Sequence, residues 1–435
     1  METISSSLGA LVDLSFYSVV QAIFGVSVIL SLGIAIISIR RWSRFESLEL
    51  EILAEEDLPP LTIVLPTWNE EKVIKSKLDG ILSQRYPRDL LEIIVIDSAS
   101  ADSTLEIVKE WARENDYDGG EKFRIIEEKE RKGKSTSINL AFSEADKESE
   151  ILMMSDADCR LGDGSLHRLV SWFKDPKIGA VTGRQILINS NSTQKASQEE
   201  SYRDFYTKMR VSESLLHSTP IFHGECSAYR RVAIEGHKLV ENANADDSQM
   251  AVSAVRSGYR AVYDPNTVFF EMAPPDGESS RIQKVRRAQG LVRHFWRNKG
   301  MIFNSNFGSF RKILALELTM HIFLPIFVFF GFAFGFAHIF TTLESVFFEG
   351  TSLVKLPTFE KIMLTADTAV SILLLSGLFG LHFPGGKKSL TFFSYMMVLI
   401  HAQALILAGR SLHRWQQVPS VREALSEYDR IKKIS

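Results

Sequence analysis

Two aspartates one residue apart, Asp156 and Asp158, close the run Ile151-Leu-Met-Met-Ser-Asp-Ala-Asp-Cys159. A short apolar run bounded by polar residues reads as a buried strand. Carboxylates at its C-terminal end stand where open α/β sheets place their ligands. Two such carboxylates facing solvent repel each other unless a cation joins them. A hard divalent ion, Mg²⁺ or Mn²⁺, carried in with a diphosphate, is the natural partner. The competing reading is a strand followed by an Asp-rich turn, because turns favour Asp in any case.

Other chemistry-bearing residues fall at comparable places. Asp97 ends the apolar run Leu91-Glu-Ile-Ile-Val-Ile96. It can accept hydrogen bonds from a base or a ribose, or it can cap a helix. Arg131-Lys-Gly-Lys134 opens a helical pattern, so it is either an anion site at a helix N-terminus or a solvated basic turn. Asn244-Ala-Asp-Asp247 also opens a helical stretch, Gln249 to Ser257. Asp247 there is either a charge favoured by the helix dipole or a base that takes a proton from an acceptor hydroxyl. Between these lies His223-Gly-Glu-Cys-Ser-Ala-Tyr-Arg-Arg231, a mixture of small and polar residues. Cys159 and Cys226 read as small buried thiols, and two cysteines exclude a disulfide framework.

The elements that must hold these residues alternate in type. Leu61-Thr-Ile-Val-Leu-Pro66 reads as a strand, Glu70 to Gln84 as a helix, and Leu91 to Ile96 as a strand. Ser103 to Asn115 reads as a helix, Phe123 to Ile126 as a short strand, and Ser135 to Ala145 as a helix before the strand into Asp156. Such alternation predicts an α/β fold, a mostly parallel sheet with helices on both faces.

Around this block the hydrophobicity is uneven. Phe16 to Ile39 is an almost unbroken apolar run, long enough to cross a bilayer. It is too long for a signal-peptide core, and it reads as a retained anchor. Leu316–Phe340, Ile362–Phe383 and Leu390–Ala408 are further candidates. Arg40, Arg41 and Arg44 follow the first run and predict that the chain beyond them is cytoplasmic. One span before the α/β block and three after it would put the C-terminus outside, whereas the basic tail, with Arg422 and Lys432 among others, argues for inside. Leu316–Phe340 contains Glu317, His321 and Pro325, so a re-entrant or hairpin run is one resolution. Arg281 to Lys312 holds nine Lys or Arg, no acid, and the aromatics Phe295, Trp296, Phe303 and Phe307. It reads as an amphipathic helix in the headgroup layer, and Gln283, Arg286 and Arg287 can reach back over a diphosphate. The net charge of -3 gives no sign of a nucleic-acid partner. The expected organisation is an anchor over 1–44, an acidic linker over 45–60, the α/β domain over 61–280, the basic segment over 281–312, a membrane region over 313–410 and a basic tail over 411–435.

In order along the chain, these pieces resemble the membrane-anchored family 2 glycosyltransferases of the GT-A fold. Leu61-Thr-Ile-Val-Leu-Pro-Thr-Trp-Asn-Glu-Glu71 is similar to the family's opening strand, and Val95-Ile-Asp-Ser-Ala-Ser-Ala-Asp-Ser-Thr104 to its second strand and turn. Lys132-Gly-Lys-Ser-Thr-Ser-Ile-Asn139 resembles its Gly-Lys segment, Ser155-Asp-Ala-Asp158 its metal motif and Asn244-Ala-Asp-Asp247 its base motif.

The resemblance implies a mixed, mostly parallel GT-A sheet and an inverting sugar transfer at the cytoplasmic membrane face. Thr67, Asn69 and Glu70 would line the nucleotide pocket, Asp97 would face the base, and Lys134 would meet the diphosphate. Asp156 would contact ribose or metal, and Asp158 would ligate Mg²⁺ or Mn²⁺. Asp247 would be the general base, with Gly224, Glu225 and Asp246 on the acceptor side. The donor would be a nucleotide-diphosphate sugar, a UDP-sugar before a GDP-sugar, and the acceptor a lipid-linked sugar or a glycan. The sequence departs from the family in three places. Trp68 replaces a Tyr, Ser98 stands where many members have a second Asp, and Arg287 follows Arg286 where processive members have Trp. Trp415 to Arg422 loosely resembles the gating segment of polymer synthases, which keeps a processive, exporting synthase open as an alternative. A nucleotidyltransferase would need a basic, Gly-rich loop where the acidic Thr67–Glu71 stands. A catalytically silent membrane receptor or scaffold would not need Asp156, Asp158 and Asp247 together.

Overall fold

The structure, a computed structural model, describes residues 15–46, 48–117, 120–189, 194–273, 277–381, 385–412 and 419–434. Side chains are described for the same residues except 194–203 and 432–434. The basic residues His413 and Arg414 and the first half, 415–418, of the gating-like stretch lie outside the described residues.

The chain divides into two interleaved units, one of Ser38–Ala315 with Ser411–Ser435 and one of Met1–Ile37 with Leu316–Arg410. Helix α1 (Phe16–Trp42) leads from the second unit into the first. The first unit then runs β1 (Leu61–Thr67), α2 (Ile74–Leu82), β2 (Leu91–Asp97), α3 (Thr104–Glu114), β3 (Phe123–Glu127), α4 (Lys134–Glu144) and β4 (Ile151–Met154). It continues through β5 (Cys159–Leu161), α5 (Ser165–Ser171), β6 (Ile178–Leu187), α6 (Gln194–Leu216), β7 (Ser227–Arg230) and α7 (Arg231–Ile234). Helix α8 (Asp246–Arg256), β8 (Arg260–Glu271) and α9 (Gly277–Asn298) follow.

The strands form one sheet in the order β3-β2-β1-β4-β7-β6-β8-β5 among the described residues. β1 pairs in parallel with β2 and β4, β2 with β3, and β6 with β8. β7 lies antiparallel between β4 and β6, and β5 lies antiparallel to β8. β1 and β2 read as continuous apolar runs because both faces are covered, and every residue of β2 is buried. Ser227–Arg230 escapes a periodicity reading. Its Ser, Ala and Tyr are all buried, yet four residues are too few for alternation to show.

The helix expected from Glu70 begins only at Ile74. Asn69 takes a left-handed φ of 56°. Its backbone N–H donates to Ser100 Oγ (2.8 Å), its Oδ1 accepts from the Ala101 N–H (2.8 Å), and the Glu70 N–H donates to Thr104 Oγ1 (2.7 Å). These bonds sew the β1–α2 loop to the β2–α3 loop instead of starting a helix turn earlier. The sheet end then carries a fixed double loop.

The last described helix, Pro419–Ile434, belongs to this unit. Val421 and Leu425 join the hydrophobic core. Asp429 pairs with Arg160 (2.6 Å) and accepts from Ser76 Oγ (2.7 Å).

The second unit is helical. It contains the end of α10 (Phe310–Leu318), one π-helical turn (Thr319–Phe323), α11 (Leu324–Phe348), α12 (Thr358–Leu378) and α13 (Gly386–Leu407), with α14 (Pro419–Ile434) following in the first unit. Among the described residues, four helical runs are long and apolar enough to cross a membrane: Phe16–Trp42, Phe310–Phe348, Thr358–Leu378 and Gly386–Leu407. Phe24 stacks on Phe330 (5.4 Å) and Phe16 meets Phe334 (6.2 Å), so α1 and α11 run antiparallel. Phe332 meets Phe393 (5.0 Å), and Gln403 Nε2 donates to the carbonyls of His321 (3.3 Å) and Ile322 (3.2 Å), so α13 also runs antiparallel to α11. The π-turn misaligns carbonyls from their helical donors, and Gln403 answers two of them.

A buried polar network crosses this bundle. Ser18 Oγ donates to Glu360 Oε1 (2.7 Å), and Gln21 bonds to Asp367. His338 bridges Glu360 (2.7 Å) and Asp367 (3.1 Å). Gly335 leaves the space, because a Cβ there would stand 2.9 Å from both Asp367 Oδ1 and Gln21 Nε2. Polar groups among apolar helices need such partners.

Candidate active site

The C-terminal ends of β1, β2 and β4 converge on one cavity of about 550 Å³. Thr67, Trp68, Glu70, Ser98, Lys134, Asp156, Asp158, Asp246 and Arg286 all line it. Residues separated by more than two hundred positions therefore meet at one sheet edge, as the strand-end placement of the carboxylates predicts.

Two carboxylates of the Asp-x-Asp motif face different cations. Lys134 Nζ, at the first position of α4, lies 2.5 Å from Asp156 Oδ1. Burial works against the Lys134 ammonium, yet the carboxylates of Asp156, Asp246 and Glu225 outweigh it and hold its pKa above the ordinary value. Burial likewise opposes the charge on Asp156, and Lys134 overrides it and holds that carboxyl low. Asp158 Oδ2 lies 2.9 Å from a guanidinium nitrogen of Arg422. The same guanidinium bonds both oxygens of Glu70 (3.1 and 3.0 Å).

The α8 end is built on strained backbone. Asn242, Asn244 and Ala245 all take left-handed φ, the last at 54°. Alanine in that region costs about 1 kcal/mol, so the surroundings must hold it. Gly290 of α9 permits the close approach, since a Cβ there would stand 3.0 Å from Asn244 Cβ and 3.2 Å from the Ala245 nitrogen. The turn delivers Asp246 to Ser135 Oγ (2.5 Å) and sets Asp247 beside Gly224. Asp247 Oδ1 accepts the Ser248 N–H (2.8 Å) while Oδ2 faces Gly224. Burial first, then the neighbouring Glu225 carboxylate, pushes the Asp247 carboxyl up to about 7. Glu225 itself pairs with Arg287 (3.2 Å), which also meets Glu271 (3.2 Å). Arg286 is lowered to about 10 by burial and by Arg287.

Gly224 is the narrow point. A Cβ there would stand 3.4 Å from Lys134 Nζ and 3.9 Å from Asp247 Oδ2. An alanine Cβ is in ordinary contact at these distances, whereas the larger Gly224→Val is expected to displace one or both groups, and a displacement near 1 Å can lower kcat up to about 10²-fold. Steady-state kinetics on the purified variant checks this.

Other expected residues sit differently. Asn69 faces an adjoining cavity with Asp102 and Arg422 rather than the main one. The oxygens of Asp97 accept from Ser100 Oγ (2.5 Å), the Ser100 N–H (2.9 Å) and Thr67 Oγ1 (3.1 Å), so its carboxylate ties the two loops together. Gln283 lies on α9 one turn before Arg286 and Arg287 and is not among the residues lining the main cavity. Sequence reasoning missed Arg422 as a site residue. It singled out Arg131 for an anion but not its stacking 3.5 Å over the Trp68 ring, and it missed Lys77, buried against Ser155 Oγ (2.7 Å) and Cys159 Sγ (3.0 Å). A basic residue in a tail carries no local signal of its partner.

No group of three His, Cys, Asp or Glu able to hold a metal occurs among the described residues. Two neighbouring aspartates, Asp156 and Asp158, both lining the cavity, fit Mg²⁺ or Mn²⁺ that takes one or two carboxylates and completes its shell from phosphate and water.

The sequence pattern described as Glycosyl transferase family 2 matches residues 62–237, and that described as Glycosyl transferase family group 2 matches residues 151–400. A poly-beta-1,6-N-acetyl-D-glucosamine synthase of Staphylococcus epidermidis is 26% identical over 258 residues, 58% of this chain and 60% of that one. The synthase of Staphylococcus aureus (strain COL) is 26% identical over 247 residues, 55% of this chain and 58% of that one. The matched stretch thus spans about 60% of the length of these curated relatives. Among solved structures, the mannosyltransferase PcManGT from Pyrobaculum calidifontis in complex with GDP-Man and Mn²⁺ is similar, with a TM-score of 0.69 and 29% identity over 89% of this chain and 99% of that one. The mixed sheet with its antiparallel β7 is GT-A-like, and the chain belongs to glycosyltransferase family 2.

Proposed function

We propose that this glycosyltransferase moves one sugar, with inversion, from a nucleoside-diphosphate sugar to a lipid-linked or glycan hydroxyl at the cytoplasmic membrane face. The observation that carries the reading is Asp247, a carboxyl raised to about 7 beside Gly224 and next to the Lys134–Asp156 pair. Asp247 Oδ2 takes the proton of the acceptor hydroxyl as that oxygen bonds to the anomeric carbon. The bond from that carbon to the diphosphate oxygen breaks, and its electron pair leaves on the diphosphate. Lys134 and Arg286 stand where they can neutralise that charge, which is the larger part of such catalysis. Asp158, with Asp156, would hold the divalent cation, which when bound supplies further charge neutralisation to the leaving diphosphate. Trp68 and Ser98 line the part of the cavity nearest Asp97, where the base would lie.

The test is donor hydrolysis. Detergent-purified protein with Mn²⁺ is offered UDP- and GDP-sugars, and free nucleoside diphosphate is measured. Release from one donor, lost on removal of Mn²⁺, is expected. No release and no binding of either nucleoside diphosphate would overturn the reading. The GDP-sugar arm has support from the mannosyltransferase similarity, and the UDP-sugar arm was the expectation from sequence.

The bundle bears on orientation. α11 and α13 run antiparallel at matched levels, so α12 starts and ends at one face and does not cross. With Arg40 and Arg41 at the inner end of α1, the chain on both sides of the bundle then lies inside. Cysteines introduced at Ser352 and Gly380, flanking α12, are both expected to react with a membrane-impermeant maleimide added outside intact cells. Labelling of only one of them would restore three crossings after the catalytic unit.

A further inference from the structure

Helix α14 comes from the last seventeen residues of the chain, yet its Arg422 reaches the Asp-x-Asp motif. The arginine is 4% exposed; its guanidinium donates to Glu70 Oε2 at 3.1 Å and Oε1 at 3.0 Å and forms an ion pair with Asp158 Oδ2 at 2.9 Å. Glu70 is 1% exposed and Asp158 is 8% exposed. The helix is seated independently of this contact. Asp429 pairs with Arg160, Glu423 pairs with Lys72 at the surface (2.7 Å), and Val421 and Leu425 are in the core.

We propose that Arg422 is a positioning residue for the metal-binding aspartate: it fixes Asp158 Oδ2 so that Oδ1 is presented to the divalent cation of the donor. The inference rests on the metal role of Asp158 given above. Planar guanidinium groups grip carboxylates in fixed geometry. The two carboxylates bring two negative charges and Arg422 one positive, so the trio still offers one negative charge to a cation. Arg422 is already paired with Glu70 on both oxygens, so its repulsion of a metal is largely cancelled and its geometric effect remains. Without it, Glu70 and Asp158 would be two buried carboxylates with no shared partner, and Asp158 would turn from its neighbour. Groups that orient metal ligands from behind typically contribute 10–100-fold to metal affinity.

The test is Mn²⁺ binding, read by the loss of the free Mn²⁺ paramagnetic signal, on full-length protein in detergent with GDP or UDP present. Arg422→Gln is expected to raise the Mn²⁺ Kd about 10–100-fold, and Arg422→Lys, which keeps charge but loses the fork, to raise it less. Glu423→Gln, one residue along the same helix, is expected to leave it unchanged. Asp429→Asn loosens the helix without touching Asp158, and it too is expected to bind Mn²⁺ as wild type. An unchanged Kd in Arg422→Gln overturns the proposal. A tighter one overturns it as well, by making Arg422 a competitor of the metal. Equal weakening in Asp429→Asn would reduce Arg422 to a docking contact. Absence of Mn²⁺ binding by wild type, with either nucleotide, would overturn the metal reading itself and this inference with it.

Discussion

Asp247→Asn protein binds donor as wild type does but transfers sugar about 10²–10⁴-fold more slowly, the usual range for losing a general base. In wild type the acid limb of the rate profile falls near pH 7, where the Asp247 carboxyl gains its proton. The variant lacks that limb. The same change makes the protein more heat-stable at alkaline pH. The folded-state value of Asp247 lies above the ordinary carboxylate range, so ionising it costs the folded state more than the unfolded one. Wild-type stability therefore falls as pH rises from about 4 to about 7 and is flat beyond. Asparagine carries no such penalty. The expected gap at pH 8 is about 1–3 kcal/mol after allowance for solvent screening. Thermal melts at pH 5 and pH 8, beside initial rates, measure both halves. A variant that is inactive yet no more stable at pH 8 would mean that the carboxyl is not raised.

Asp158→Ala removes metal-dependent turnover, about 10³-fold or more in donor hydrolysis, on the scale of losing a main electrostatic stabiliser of the leaving group. Mn²⁺ titration of the variant with nucleoside diphosphate shows no saturable site. Lys134 keeps its partner Asp156 in this protein, so weak metal-free nucleotide binding persists. Full hydrolysis by Asp158→Ala at saturating Mn²⁺ would remove this residue from the metal site.

Much of this site was legible because the signals are local. β1 and β2 are apolar runs ending in Thr67 and Asp97, β4 ends at Met154 two residues before Asp156, and short runs with polar ends read as buried strands whose tips face a ligand. Lys134 and Asp247 open helices and were legible for the same reason. What was hidden is what depends on tertiary contact. Nothing near Asp97 in sequence announces that Thr67 and Ser100 occupy its oxygens. The left-handed run at Asn242, Asn244 and Ala245 has no glycine to mark it, and its support is Gly290, some 45 residues on. Arg422 looked like one more basic residue of a tail, because its partner Glu70 is 352 positions away. The conflict over the C-terminus comes from counting every apolar run as a crossing, and the returning α12 proposed above would remove it. Length and composition do not distinguish a helix that spans from one that returns to its own face.

The interleaving of the two units sets a timetable for biosynthesis. Gln21 is made 346 residues before its partner Asp367, and Glu70 is made 352 residues before Arg422. At about 5–20 residues per second of synthesis, each waits roughly 20–70 s on the ribosome. The first helix enters the bilayer with its polar groups unanswered through that interval, while most of the catalytic sheet emerges and folds. The bundle then closes on α12 and α13, and only afterwards does α14 appear to finish the sheet unit. A chain halted anywhere before α14 can contain every motif of the active site and still lack its last ion pair. Such a chain would hold the metal of the donor more weakly than one that has reached α14.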